Sequence, residues 1–130
     1  MSVAWDLRNR VLVVRLDGDY GYNEPMRAVT AAMQDPGFIP GTPLLIDARR
    51  STTSRSSEEF RSRAIWMAGL TAKGLSHRCA MVIRSLPHQY GLARMAATHV
   101  EIHGLELQIF TEIEQAFEWL QEEASSQAAP

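Results

Sequence analysis

Apolar and polar positions along the chain change period several times, and each change marks an element. Val11-Leu12-Val13-Val14-Arg15-Leu16 is a β-branched run closed by Asp17-Gly18-Asp19, and it predicts a strand. Val3 to Leu7 alternates weakly, and Arg8-Asn9-Arg10 can turn it back, so the two runs predict a hairpin. From Glu24 to Gln34, Met26, Val29, Thr30 and Met33 fall at helical spacing. Asn23 is the expected N-cap there, Pro25 suits the first turn, and Asp35-Pro36-Gly37 is the stop. Pro43 to Asp47 is a short strand-type run, followed by a polar stretch from Ala48 to Arg55. Ser56-x-x-Glu59 then reads as a capping box. The helix it opens carries Phe60, Ile65, Trp66, Met67, Gly69 and Leu70 and stops at Lys73-Gly74.

Cys79-Ala80-Met81-Val82-Ile83 is apolar without alternation, the pattern of a strand covered on both faces. Ser85-Leu86-Pro87 opens a helix expected over 88–103, with Gly104 beyond its end. Leu105 to Phe110 alternates as a last strand. Thr111-x-x-Glu114 is a second capping box, and its helix places Ile113, Phe117 and Leu120 on one side. Strands alternating with helices imply one α/β domain. Its sheet is mixed but mostly parallel, four- to five-stranded, with about four helices on its faces and an antiparallel edge from the first hairpin. The expected domain covers residues 1–123, and 124–130, small and polar, reads as a disordered C-terminal tail.

Composition narrows the function classes. The chain has 130 residues, enough for one core. Its formal net charge is -2, which supplies no general pull toward nucleic acid or acidic membranes. One cysteine, Cys79, excludes an internal disulfide framework and a multi-cysteine zinc site, and its apolar run makes it a small core residue. No apolar run approaches the roughly 20 residues of a bilayer span, and the first residues do not read as a signal peptide. A cytoplasmic protein, not integral to a membrane, is the expectation. Lys73 is the only lysine, so arginine supplies nearly all the basic charge.

Ligands of parallel α/β sheets collect at the carboxyl ends of strands, beside helix N-termini. Three segments are expected to meet there. Asp47, Arg49 and Arg50 form one, Arg84, His88, Tyr90 and Arg94 the second, and Phe110-Thr111-Glu112 the third. Guanidinium groups beside free helical N–H groups suit a phosphate or carboxylate, so these residues are the candidate anion rim. The plainer alternative pairs the arginines with Asp47, Glu58 and Glu112 or leaves them in water. Arg15, like most other arginines, is assigned no shared site. His99 and His103 stand four apart without a third ligand, so no metal is expected. No cofactor motif, phosphate loop or Ser-His-Asp signature is present, and no enzyme is expected.

Four stretches resemble the SpoIIAA-like family of the STAS superfamily, the anti-sigma-factor antagonists and related sensor modules. They are Arg78 to Ile83, Tyr90-Gly91-Leu92-Ala93-Arg94-Met95, Leu107-Gln108-Ile109-Phe110, and Glu114 to Leu120 with its Ala116-x-x-Trp119-Leu120 ending. The resemblance implies helices mostly on one side of the sheet. It also implies a non-enzymatic regulatory or interaction module that binds a protein partner or small ligand, with a homodimer among the options. Antagonists of this family carry a phosphorylated Asp-Ser-x-Gly serine at the start of the second helix. Ser56 and Ser57 occupy that place here, without the Asp or the Gly. The partner face implied lies around the second helix, at Trp66, Met67 and Leu70. The alternative is a carrier or sensor of an apolar or anionic lipid-like molecule, which calls for a cavity lined by Met67, Leu70, Met95 and Phe110.

Overall fold

The computed structural model describes residues 2–52, 57–84 and 104–128, apart from the side chains at 57, 60, 64 and 123–128. Strands β1 (Val3–Arg8) and β2 (Val11–Gly18) lead to helix α1 (Glu24–Met33). Strand β3 (Thr42–Ser51), helix α2 (Ser57–Gly69) with a 3-10 turn (Leu70–Lys73), and strand β4 (Leu75–Val82) follow. Strand β5 (Glu106–Phe110) and helix α3 (Ile113–Ala128) complete the order. The helix expected over 88–103 lies outside the described residues.

The five strands lie in sequence order, with β1 antiparallel to β2 and every other pair parallel. This is the mixed, mostly parallel sheet that the hydrophobic pattern predicts. The hairpin turns on Asn9 and Arg10, both at positive φ (53° and 64°), the two-residue geometry that matches the twist of paired strands. Asn tolerates that conformation through its short polar side chain; Arg10 adopts it at a steric cost.

Alternation along the strands builds two cores. Leu12, Val14, Leu16, Leu44, Ile46, Cys79 and Leu107 pack with Val29 and Ala32 of α1 and Met67 and Ala68 of α2. Val11, Val13, Leu45, Ala80 and Val82 face the other way, against Ala116 and Leu120 of α3. β3 and β4 thus bury side chains on both faces, which is why their sequences show runs instead of alternation. Two arginines clamp α3: Arg8 lies over the Phe117 ring at 5.2 Å and Arg78 over Trp119 at 4.6 Å. Arg78 also donates from Nη1 to the Trp119 carbonyl at 3.0 Å.

Several boundaries differ from expectation. β3 continues through the polar residues 48–51, because Arg50 and Ser51 find ladder partners in Asp17 and Gly18 of β2; paired backbone outweighs side-chain polarity there. β4 begins at Leu75, ahead of the apolar run, with Leu75 and Ser76 both buried. Asn23 precedes α1 but makes no side-chain capping bond, since its own backbone is helical. The Glu24 carboxylate accepts from the Gly21 N–H instead. The last helix starts at Ile113, and the Ala116 N–H donates to the Glu112 carbonyl, so the Thr111 box is not the cap. Its helical backbone continues to Ala128, into the stretch expected as tail. Once docked residues have nucleated a helix, each further residue costs little. Gly74 ends the turn after α2 at φ 118°, as the Lys73-Gly74 stop predicts.

Candidate functional site

The structure divides the expected anion rim. Asp47 is buried on the α3-side face of β3, in register with Arg15 of β2 and Val82 of β4. Arg49 folds back over it: Nε donates to Oδ1 at 2.9 Å and Nη2 to Oδ2 at 2.8 Å, while the Arg49 backbone N–H donates to Oδ1 at 3.2 Å. Burial alone pushes the Asp47 carboxyl up. The hydrogen bonds from Arg49 and the positive charges of Arg49 and Arg15 outweigh it and hold the carboxyl below the usual aspartate range. The bond to Asp47 in turn raises the Arg49 guanidinium. The plainer alternative, Arg49 paired with Asp47, is what the geometry displays.

Arg50 extends into water, its side chain 80% exposed, with Nε 3.6 Å from the Asp17 carboxylate. Arg84 sits past the end of β4 and donates from Nη2 to the Ser51 carbonyl at 3.3 Å. His88, Tyr90 and Arg94 lie outside the described residues, as do Ser56, His99 and His103. Ser57 is the first residue of α2. Asp47, Arg49 and Arg50 therefore come together, and Arg84 stands at the strand ends. Arg15, which the sequence reading assigned to no site, joins the first group. Its signal was the β2 alternation, which sets Arg15 on the face of Val11 and Val13; the register that places it beside Asp47 has no local signature.

The quartet expected to line a carrier cavity is not one group. Met67 borders a cleft, Leu70 belongs to the core, and Phe110 packs on Trp119 on the opposite face of the sheet, with ring centres 5.8 Å apart. Met95 lies outside the described residues. The expected apolar patch on α2 is corrected as well. Met67 and Leu70 are buried and Trp66 is half-buried, because α2 turns this side to the sheet. Among the described residues, Ile39 is the only large apolar side chain classed as exposed.

What does open to the surface is a cleft between α1, α2 and the sheet. Its accessible volume is about 50 Å³. Val14, Ile46 and Met81 form its floor, Met26 of α1 and Trp66 of α2 its sides. Tyr20 and Arg63 supply its polar lining. The loop between β2 and α1 is tied across to α2 there. Arg63 donates from Nη2 to the Tyr22 carbonyl at 2.7 Å, and its guanidinium lies 4.9 Å from the Tyr22 ring centre. Ser51 donates its hydroxyl to the Tyr20 oxygen at 3.2 Å, which joins the same loop to the end of β3. Sequence reading missed Tyr20, Tyr22 and Arg63; Arg63 in particular reads as part of a solvated helix face. Cys79 is not a candidate nucleophile, because burial pushes its thiol up to about 12.

This architecture is a SpoIIAA-like fold. The chain is similar to the crystal structure of an uncharacterised DUF3478-family protein with a SpoIIAA-like fold from Shewanella loihica. The TM-score is 0.56 and the identity 15%, over 91% of each chain. No family model matches the sequence, and no curated protein matches it. No helix among the described residues is long and apolar enough to cross a membrane.

Proposed function

We propose that this domain is a non-enzymatic interaction module that receives an apolar side chain of a protein partner in the cleft between α1 and α2. The observation that carries the reading is the size of the cleft. Pockets that hold small-molecule ligands run to about 300–1,000 Å³, and this cleft offers about 50 Å³. A cleft of that scale suits a single leucine or methionine side chain better than a lipid tail. Burying such a side chain contributes about 1.5–3 kcal/mol. Tyr20 and Arg63 beside the cleft can hydrogen-bond the partner backbone around the inserted residue. Asp47, the one buried charged residue among those described, is held ionised by Arg49 rather than poised to exchange a proton near neutrality, which speaks against its use as an acid–base group.

Native mass spectrometry of the protein isolated from its source tests this, with Met26→Arg as the blocking variant and a thermal melt as the folding control. The expected result is a complex with a second polypeptide in wild type and free domain in the variant. A retained small molecule, with no polypeptide and equal in both forms, overturns the reading in favour of a carrier.

A further inference from the structure

A second hollow lies on the other face of the sheet. Near the hairpin, Val11 and Val13 are covered by α3. Beyond Val13 no described residue of α3 joins this cluster, and a hollow of about 200 Å³ opens, lined by Ala4, Arg15, Leu16, Asp17, Asp47 and Arg50. Ala4, Arg15 and Asp47 stand side by side across β1, β2 and β3. The short Ala4 side chain leaves the space over its strand empty.

A register shift assembles the charges. Arg15 faces Asp47, but Asp17 faces Arg50, so β3 carries one residue more than β2 across this step. In an unbroken ladder Asp17 would face Arg49, and Arg50 would turn to the α1 side of the sheet. The bulge brings Arg50 to the rim of the hollow while leaving Arg49 bonded to Asp47. Arg15 and Arg50 line the hollow with Asp17 and Asp47, Arg49 is bonded to Asp47, and Glu114 of α3 is close enough to act on Arg49. Asp47 is occupied by Arg49. The Asp17 contact with Arg50 is long and solvent-exposed, and contributes little. Among the described residues, the Arg15 side chain makes no hydrogen bond or salt bridge, and its charge acts on Asp47 through space.

We propose that this hollow binds a small oxyanion, a phosphate or carboxylate group, between the guanidinium groups of Arg15 and Arg50. Planar forks on two sides suit paired oxygens of either group. The pre-formed Asp47–Arg49 pair keeps the inner wall from repelling an anion. The site lies across the sheet from the α1–α2 cleft, and neither proposal depends on the other.

The test is an amide NMR titration of the full chain with inorganic phosphate, at constant ionic strength balanced by sodium chloride, and a parallel titration with acetate. The expected result is saturable shifts at residues 15–17 and 47–50, with a dissociation constant on the order of millimolar. Arg15→Gln and Arg50→Gln should each weaken binding at least about tenfold, whereas Arg27→Gln on α1 should not change it. Saturation by phosphate alone assigns a phosphoryl ligand, and saturation by acetate a carboxylate. Linear shifts with both anions, or equal affinity in Arg15→Gln and Arg50→Gln with an otherwise unchanged spectrum, overturn the proposal.

Discussion

Asp47→Asn isolates the buried ion pair with almost no change in volume. In the native protein Asp47 is 7% exposed and receives three hydrogen bonds, all from Arg49. Asparagine keeps one oxygen as an acceptor but turns an NH2 group toward a guanidinium, and the charge is lost. A hydrogen bond to a charged group contributes about 1.5–3 kcal/mol. The Arg49 side chain is 39% exposed and can swing into water, which recovers part of the cost. The expected loss is about 2 kcal/mol. For a chain of this length the unfolding entropy makes that a fall of about 7 °C in Tm. The pH dependence has a definite sign. The folded carboxyl titrates below an ordinary aspartate at 3.8, so folding favours its ionised form. That contribution is fully present above 3.8 and is lost as pH falls through the lower folded value. Urea unfolding of both proteins from neutral pH downward measures the gap. It should stay level to about pH 5 and close only in stronger acid. A gap absent at neutral pH, or one that already closes above about pH 5, would refute the reasoning.

Arg10→Gly should raise stability by about 0.5–1 kcal/mol, because glycine removes the cost of φ 64° while loosening the unfolded chain; a melting curve that does not rise contradicts the strained turn. Leu120→Ala empties a fully buried position between α3 and the sheet and should cost about 2–5 kcal/mol in urea unfolding. A cost near zero would mean that α3 does not close that face. The Cys79 thiol, 1% exposed, should react with an aromatic disulfide at neutral pH only as fast as the protein unfolds. Rapid labelling of the native protein would place β4 at the surface.

The order of elements was legible because each carries its own period. Val11 to Leu16 announces a strand whatever surrounds it, and the Asp35-Pro36-Gly37 stop needs no tertiary partner. Boundaries failed where a tertiary partner decided them. Residues 48–51 carry loop polarity and become strand because β2 offers open backbone groups beside them. Asn23 has the right side chain for a cap, yet Glu24 satisfies the Gly21 N–H and α1 begins without it. Met67 and Leu70 could be assigned to a helix but not to its inner side, because the α2 sequence lacks a clear amphipathic division. Only packing against the sheet shows that they are core.

The candidate sites were harder to read for a related reason. An i, i+2 pair such as Asp47 and Arg49 is visible in any strand, and its ion pair follows from alternation alone. The position of Arg15 opposite Asp47 depends on how two strands far apart in sequence align, and a shift of one residue would send it to the other face. The bulge that redirects Arg50 is a property of the pair β2–β3, so neither strand encodes it separately. The two hollows also differ in how their walls are fixed. The cleft between α1 and α2 is bounded by side chains from separate elements, held across the opening by the Arg63–Tyr22 contacts. A small shift of α2 alters its width. The arginine hollow is cut into the sheet, where the backbone ladder fixes Ala4, Arg15 and Asp47 in one row. Its geometry should therefore survive substitution of the charged groups themselves, which is why removing a single guanidinium can report on binding without reporting on folding.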